Sequence, residues 1–459
     1  MGGETMSGEG PSSKENFASS PCSGAVASLE NGSGNGLLPQ LDLDEIMNCM
    51  HCGFCLPTCP TYEQTGLETY SPRGRIALMK GVAVGQLPVD VEFEHHMNAC
   101  LGCRACETAC PAGVPYGGML ETARELVQET KKTAEKPSVL RSMIFKRIFP
   151  YPKRVRRLGN LLWGVQALGL QALANRTGLV RILPKSLREM QKAVGTIASP
   201  RERRMREPHM KAEGVKRLTV GLFTGCIMDV MFYETNQATA RLLVKAGCDV
   251  VFIQEQNCCG AMHAHSGEMA GARELAKRNI EAFERAEVDF VVNNAGGCGA
   301  ALKEYGHWFK GDPTWEERAK RFASRNRDAN ELLAELPPLA FNKPLPYTVT
   351  YQDSCHLAHG QGVRNPPREL LRRIPGLKLV EMRQPDGCCG SAGTYNLTQF
   401  EMSMRILDDK MEQVKETKAH LIVTSNPGCL LQMKQGILRA GLEGQMEAVH
   451  IMDVLDRAL

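Results

Sequence analysis

The 459-residue chain has no uninterrupted apolar run approaching the roughly 18 to 20 residues that a membrane-spanning helix needs. It also lacks a charged start followed by an apolar stretch of the kind that directs secretion. Both absences lead to the expectation of a cytoplasmic protein. A formal net charge of +4 is small for this length and excludes a bulk electrostatic argument for nucleic acid as a partner. Residues 1–40, rich in Gly, Ser, Asn and Glu, have almost no apolar periodicity, and a disordered leader is expected there.

What the chain has is cysteine. Eighteen are present in a sequence that is 43% hydrophobic and long enough to bury several cores. In a small secreted protein such a number would mean disulfides; in a large chain, with the cysteines in tight clusters, metal ligation is the better reading. Cys22, alone in the leader, and Cys248, in an Ala-Gly-Cys-Asp string between a helix and the next strand, read as an incidental thiol and a small core residue.

Cys49, Cys52, Cys55 and Cys59-Pro60 form C-x2-C-x2-C-x3-C-P, and Cys100, Cys103, Cys106 and Cys110-Pro111 repeat that spacing without a mismatch. Three cysteines two residues apart wrap one turn of chain round a cube face, and a remote cysteine reaches the fourth iron. Where two such motifs occur together, the fourth cysteine of each serves the other cluster. Cys49, Cys52, Cys55 and Cys110 are thus expected to hold one [4Fe-4S] cluster, and Cys100, Cys103, Cys106 and Cys59 the other. Zinc, which prefers two C-x2-C pairs, has no use for the third cysteine of each run. The stretch from Ser71 to Val84 between the motifs begins Ser-Pro-Arg-Gly-Arg and reads as a short helix.

The last 240 or so residues alternate strand-like and helical runs: Leu218 to Phe223, a helix to Ala246, Val250 to Ile253, a helix to Ala286, then Phe290 to Val292. The pattern returns at Tyr347 to Tyr351, Leu377 to Glu381 and Leu421 to Thr424. Cys226, the pair Cys258 and Cys259, and Cys298 recur as Cys355, the pair Cys388 and Cys389, and Cys429, at offsets of 129, 130 and 131 residues. The register marks an internal duplication of a parallel α/β unit. Cysteines that follow different strands converge at the carboxyl ends of an open parallel sheet. Gly260 and Gly390 after each pair let the backbone approach a bulky ligand. These eight cysteines are therefore candidate metal ligands too. His356 and His359 beside Cys355, Arg364 soon after, and His263 and His265 after the first pair leave ligand, proton-relay and structural roles open.

The expected fold class is α+β and multidomain, an all-helical two-cluster ferredoxin domain followed by two duplicated α/β domains with parallel sheets. The divisions are a leader 1–40, the two-cluster domain 41–130, a basic helical linker 131–216, and Cys-Cys-Gly domains 217–340 and 341–459. In the linker, Lys146, Arg147, Lys153, Arg154, Arg156 and Arg157 are followed by apolar Leu161, Leu162, Trp163, Val165 and Leu168, with few acidic residues. Such a stretch is either a packed linker helix or a surface for anionic membrane or an acidic partner.

With these motifs, the strings DSCHLAHGQGVRNPPRELL, GCCGSAGTYNL, NAGGCGAALKEYGH and SNPGCLLQ resemble the glycolate oxidase iron-sulfur subunit family over roughly residues 41 to 459. The architecture is shared with heterodisulfide reductase, the anaerobic glycerol-3-phosphate dehydrogenase third subunit and lactate-utilisation proteins. The resemblance implies an electron-transfer subunit, not catalytic alone, in a complex whose FAD-bearing flavoprotein subunits oxidise glycolate to glyoxylate. Electrons would pass towards a membrane quinone acceptor, with peripheral contact at the inner face of the cell membrane. In heterodisulfide reductase each repeat ends in C-x2-C, whereas Ala301 and Gln432 stand here where the last cysteine would be. The four remaining thiols per repeat suffice for an ordinary cluster, and equally the repeats could have lost metal and kept the fold. The competing functions are an iron-sulfur subunit for lactate or glycerol-3-phosphate oxidation and a thiol or disulfide reductase acting by itself.

Overall fold

The structure, a computed structural model, describes residues 41–134, 139–182 and 184–459. The expected leader and Cys22 lie outside the described residues. From Leu41 to Ala134 the described elements are helices alone, among them Pro72–Ala83, Val91–Asn98 and Tyr116–Ala134. Ser71 starts the first of these as the sequence suggests, its Oγ accepting from Gly74 N at 3.0 Å with Pro72 at the first helical position. Ile76, Met79, Phe93, Met97, Leu120 and Ala123 from these helices form one small core.

The C-terminal half contains two sheets. In the first, β1 (His209–Met210), β2 (Leu218–Phe223), β3 (Cys248–Phe252), β4 (Phe290–Asn293) and β5 (Asn326–Asp328) lie in the order β1-β3-β2-β4-β5, all parallel except β1. In the second, β6 (Thr348–Gln352), β7 (Lys378–Leu379), β8 (Leu421–Thr424) and β9 (Glu447–His450) lie in the order β7-β6-β8-β9, all parallel. Apart from β1 the two orders are the same, so the duplication inferred from cysteine register is a duplication of topology.

Differences from the sequence reading lie at short, polar segments. Cys248 opens β3 instead of preceding it, fully buried, and burial raises its thiol pKa to about 11. β7 is two residues long, not five. β1, β5 and β9 carry too little apolar alternation to be recognised. β5 reads Asn-Arg-Asp, yet Asn326 and Asp328 are buried because their side chains pair with Asn293 and cap the next helix.

The two repeats are also less separate than the boundary at 340 implies. Val220, Leu222, Leu242 and Val250 of the first share one continuous core with Val349, Leu371, Val423 and Leu455 of the second. The final helix, Ile451–Ala458, lies against helix Tyr233–Lys245, with Thr235 donating to Asp453 at 3.0 Å and Arg241 paired with Asp456 at 2.6 Å.

His450 fastens this seam. Its Nε2 donates to the carbonyl of Asn294 in the first repeat at 2.9 Å, and its Nδ1 accepts from Met452 N at 3.2 Å, capping the last helix. The bond that Nδ1 accepts requires the neutral ring, and burial lowers its pKa from 6.5 to about 4. The unfolded chain therefore takes up a proton that the folded chain refuses as pH falls from 6.5 towards 4, and stability is lost across that window, up to about 3 kcal/mol. Urea midpoints at pH 7.5 and 5.5 should drop more in the native protein than in His450→Asn; equal drops would refute this assignment.

Candidate functional site

The two cysteine runs fold into matching loops. His51 and Gly102, each two residues after the first cysteine of its motif, have φ of +54° and +64°; Gly53 and Arg104, four residues after, have +89° and +64°. Alternation of left- and right-handed residues turns successive backbone N–H groups to one side, forming an anion-binding hollow. At His51 and Arg104 this conformation is adopted despite a Cβ, at about 1 kcal/mol each.

The loops sort the cysteines in crossed sets. Cys49, Cys52, Cys55 and Cys110 line one cavity; Cys59, Cys100, Cys103 and Cys106 line another. Only Pro72, Cys106 and Tyr116 border both, so the cavities are back to back. The first lies near the surface, with Cys52 exposed, whereas all four thiols of the second are buried. All described cysteines are free thiols. Among the described residues, no three His, Cys, Asp or Glu side chains converge on one point as they would round a single ion. The thiols line cavity walls instead, as they would round a polynuclear centre.

The deeper cavity has a feature that cysteine spacing does not foretell. Arg75 is fully buried beside it, donating to the carbonyls of His96 and Tyr70 at 2.8 Å and to Thr61 Oγ1 at 3.2 Å. Arg124, also buried, donates to the carbonyls of Met97 and Cys100. Neither has a carboxylate partner among the ion pairs of the described residues. A guanidinium out of water without a counter-charge costs several kcal/mol. Burial alone would lower the Arg75 pKa; its neighbours Cys100, Tyr116 and Cys59 more than reverse this. The fit to a negatively charged thiolate centre is chemical as well as geometric. Hydrogen bonds to the sulfur come from Gly102 N (3.3 Å) and Tyr116 OH (3.5 Å) on Cys100.

In the duplicated half, β2 lies between β3 and β4, and β6 between β7 and β8. The loops after three adjacent strands therefore open at one crevice. Cys226 Sγ donates to Cys258 Sγ at 3.7 Å, and Cys259 and Cys298 pack in the same cluster. In the second repeat Cys388 packs with Cys355, and its chain neighbour Cys389 packs with Cys429. Each repeat thus gathers its four thiols in a row. Gly260 and Gly390 have φ of +87° and +88°, and a Cβ on Gly390 would lie 2.6 Å from the Ser403 carbonyl.

The histidines fasten domains together. His356 Nε2 donates to the Gly102 carbonyl at 2.9 Å, and burial, then nearby His265, lowers its pKa to about 3. His359 Nδ1 accepts from Thr108 Oγ1 and from Arg364, both at 2.9 Å. His263 bonds the Phe145 carbonyl, and His265 pairs with Glu121 at 3.0 Å.

This is the make-up of an iron-sulfur protein in which a dicluster domain is joined to a duplicated cysteine-rich half. Residues 45–114 match the family model described as a 4Fe-4S dicluster domain, and residues 220–303 and 349–434 that of a cysteine-rich domain. Residues 136–194 match the linker region of the glycolate oxidase iron-sulfur subunit. The probable glycolate oxidase iron-sulfur subunit of Bacillus subtilis (strain 168) is 48% identical over 92% of this chain and 96% of its own length. That of Escherichia coli (strain K12) is 31% identical over 91% and 96%. Lactate utilization protein A of Geobacillus thermodenitrificans (strain NG80-2) is 35% identical over 52% of this chain and 99% of its own. The chain belongs to the glycolate oxidase iron-sulfur subunit family.

Replacing Arg75 by Met removes a unit positive charge from beside the deeper cavity. In the iron-loaded protein, one reduced-state paramagnetic signal should move to more negative midpoint potential by on the order of 100 mV, from an interaction of roughly 2 kcal/mol at an effective dielectric near 20. An unchanged potential in redox titration would mean that the guanidinium faces no charged centre.

Proposed function

We infer that this chain is the electron-transfer subunit of a flavin-dependent glycolate-oxidising complex and holds two [4Fe-4S] clusters on the crossed cysteine sets. The observation that carries the reading is the sorting of eight cysteines into two abutting cavities, in the sets that two-cluster ligation requires. Bound there, such clusters supply one-electron relay without making or breaking bonds. The protein's part is to fix their order. Cys52 and the exposed Met47, Met50 and Phe54 put the outer set where a FAD-bearing flavoprotein subunit could dock, and Arg75, Arg124 and Tyr116 surround the inner set with fixed charge and hydrogen bonds. Glycolate itself is oxidised to glyoxylate on the flavoprotein partners.

Its standing as a glycolate complex rests on full-length similarity, against a lactate-utilisation relative that covers about half the chain. Glycolate-dependent dye reduction should appear only when the chain is reconstituted with its flavoprotein subunits, and Cys103→Ser should abolish it. Disulfide reduction by the lone chain, or faster turnover with lactate than glycolate, would sink the reading.

Electrons leave for a membrane acceptor, and the linker supports peripheral contact with an anionic bilayer. No helix among the described residues is long and apolar enough to cross a membrane. Residues 139–194 carry twelve Lys and Arg against one acidic residue, Glu189. Helix Pro152–Ala167 buries only Val155 and Gly159, and Leu170–Thr177 buries nothing. Leu158, Leu161, Leu168, Leu173, Leu179 and Ile182 are all at least half exposed. An apolar face flanked by cations suits the headgroup boundary. The full chain should sediment with phosphatidylglycerol vesicles and not with phosphatidylcholine alone. Leu161→Glu should weaken that binding about tenfold. Equal binding to both vesicle types would argue for a protein occupant of this face.

A further inference from the structure

The geometry points to a functional difference between the twin cysteine-rich repeats: the second, through Cys355, Cys388, Cys389 and Cys429, holds a third negatively charged iron-sulfur cluster with Lys410 as counter-ion, and the first holds none. This rests on the two-cluster reading above and adds to it the next station of the electron path.

Three observations carry it. The first is contact. Cys388 packs with Cys103, a thiol of the deeper cavity, in one small buried cluster with Leu101, Ala105, Tyr395 and Ile406. The contact is held in place by Tyr395 OH on the Ala99 carbonyl (3.1 Å) and by His356 on Gly102. No thiol of the first repeat belongs to that cluster or to the core of the dicluster domain.

The second is charge. Among the described residues only three lysines or arginines are buried: Arg75, Arg124 and Lys410. Two flank the deeper cavity. Lys410 Nζ, the third, donates to the Gln384 carbonyl at 2.7 Å and lies 3.4 Å from Gln413 Oε1, with no carboxylate partner. The groups of negative charge it faces are Cys389 and Cys388 first, and then the carboxylates of Asp386 and Asp353, neither of which pairs with it directly. Gly390 abuts the Ser403 carbonyl as Gly260 abuts that of Ala272, which aligns the two long helices with an offset of 131 and sets Asn279 opposite Lys410. Asn279 is neutral and fully engaged, donating to the Cys258 carbonyl and to Tyr305 OH and accepting from Asn257 N. An anionic cluster in the first repeat would lack the buried cation that the other two buried sites have.

The third is access. A cleft between the dicluster domain and the second repeat ends on Cys388, lined by Pro60 and Glu63 on one side and His359, Asp386 and Lys410 on the other. A one-electron acceptor entering there would meet the third station. One electron passes from the Cys103 side to the Cys388 side, oxidising the first and reducing the second by one, with no bond or proton change, and Lys410 offsets the added negative charge.

The test uses the full chain, loaded with iron anaerobically, with iron and acid-labile sulfide counted and the reduced form examined by paramagnetic resonance. The native chain should hold about twelve irons, Cys355→Ser about eight, and the matched Cys226→Ser about twelve still. Lys410→Met should lose the same four or so irons, or shift that signal to lower potential, while Lys410→Arg retains it. In the iron-free chain Lys410→Met should melt at the same temperature or higher, which separates loss of a counter-ion from loss of fold. Equal iron loss in Cys226→Ser and Cys355→Ser, no loss in either, or an unaltered Lys410→Met would overturn the inference. A native chain without the eight or so irons removable through the twin motifs would overturn the two-cluster reading itself.

Discussion

Buried positive charge facing sulfur is the interaction on which the rest of this structure depends. Arg75 and Arg124 sit among helices that contain little else to neutralise them, and Lys410 lies in an otherwise apolar helix face beside Cys388 and Cys389. Removing such groups from water is tolerable only if something negative stands opposite, and cysteine sulfurs, which carry that charge when they ligate metal, are what stands there. The dicluster domain and the second cysteine-rich repeat are thereby linked in chemistry as well as in contact. Arg104 extends the link to the first repeat, pairing with Glu107 in its own loop and with Glu304 across the interface.

The duplication offers a natural comparison. Two copies of one topology share a core and a seam closed by His450, yet their crevices differ in polarity. The first is walled by Tyr305, Trp308 and Phe309 and held by a neutral amide; the second has a lysine at that point and touches a cysteine of another domain. Duplication supplies the scaffold twice, and single residues decide what each copy can stabilise.

Much of this was readable before any coordinates. Cysteine spacing is legible because ligand loops are local, and strand periodicity anticipated the longer strands because their faces are apolar. The cations were not legible. Arg75 within Ser-Pro-Arg-Gly-Arg and Lys410 after Asp408 and Asp409 look like members of a solvated face, and only packing reveals which one points inward. The signal that existed was the repeat itself: the 131-residue offset that pairs Cys298 with Cys429 also pairs Asn279 with Lys410. The histidines were flagged by proximity to cysteine, and their hydrogen bonds run instead to backbone and carboxylate across domain boundaries.

The interleaving of the two cysteine sets has a mechanical side. Each cavity is bordered by thiols from the two ends of one segment, Cys49 meeting Cys110 and, nearer its middle, Cys59 meeting Cys100. Anything that binds either set closes that segment into a ring, and binding both closes two concentric rings. Ring closure removes freedom from the unfolded chain, as a disulfide does. Metal loading and folding of this domain would then be one cooperative event, and a half-loaded chain would be as much a folding intermediate as a redox one.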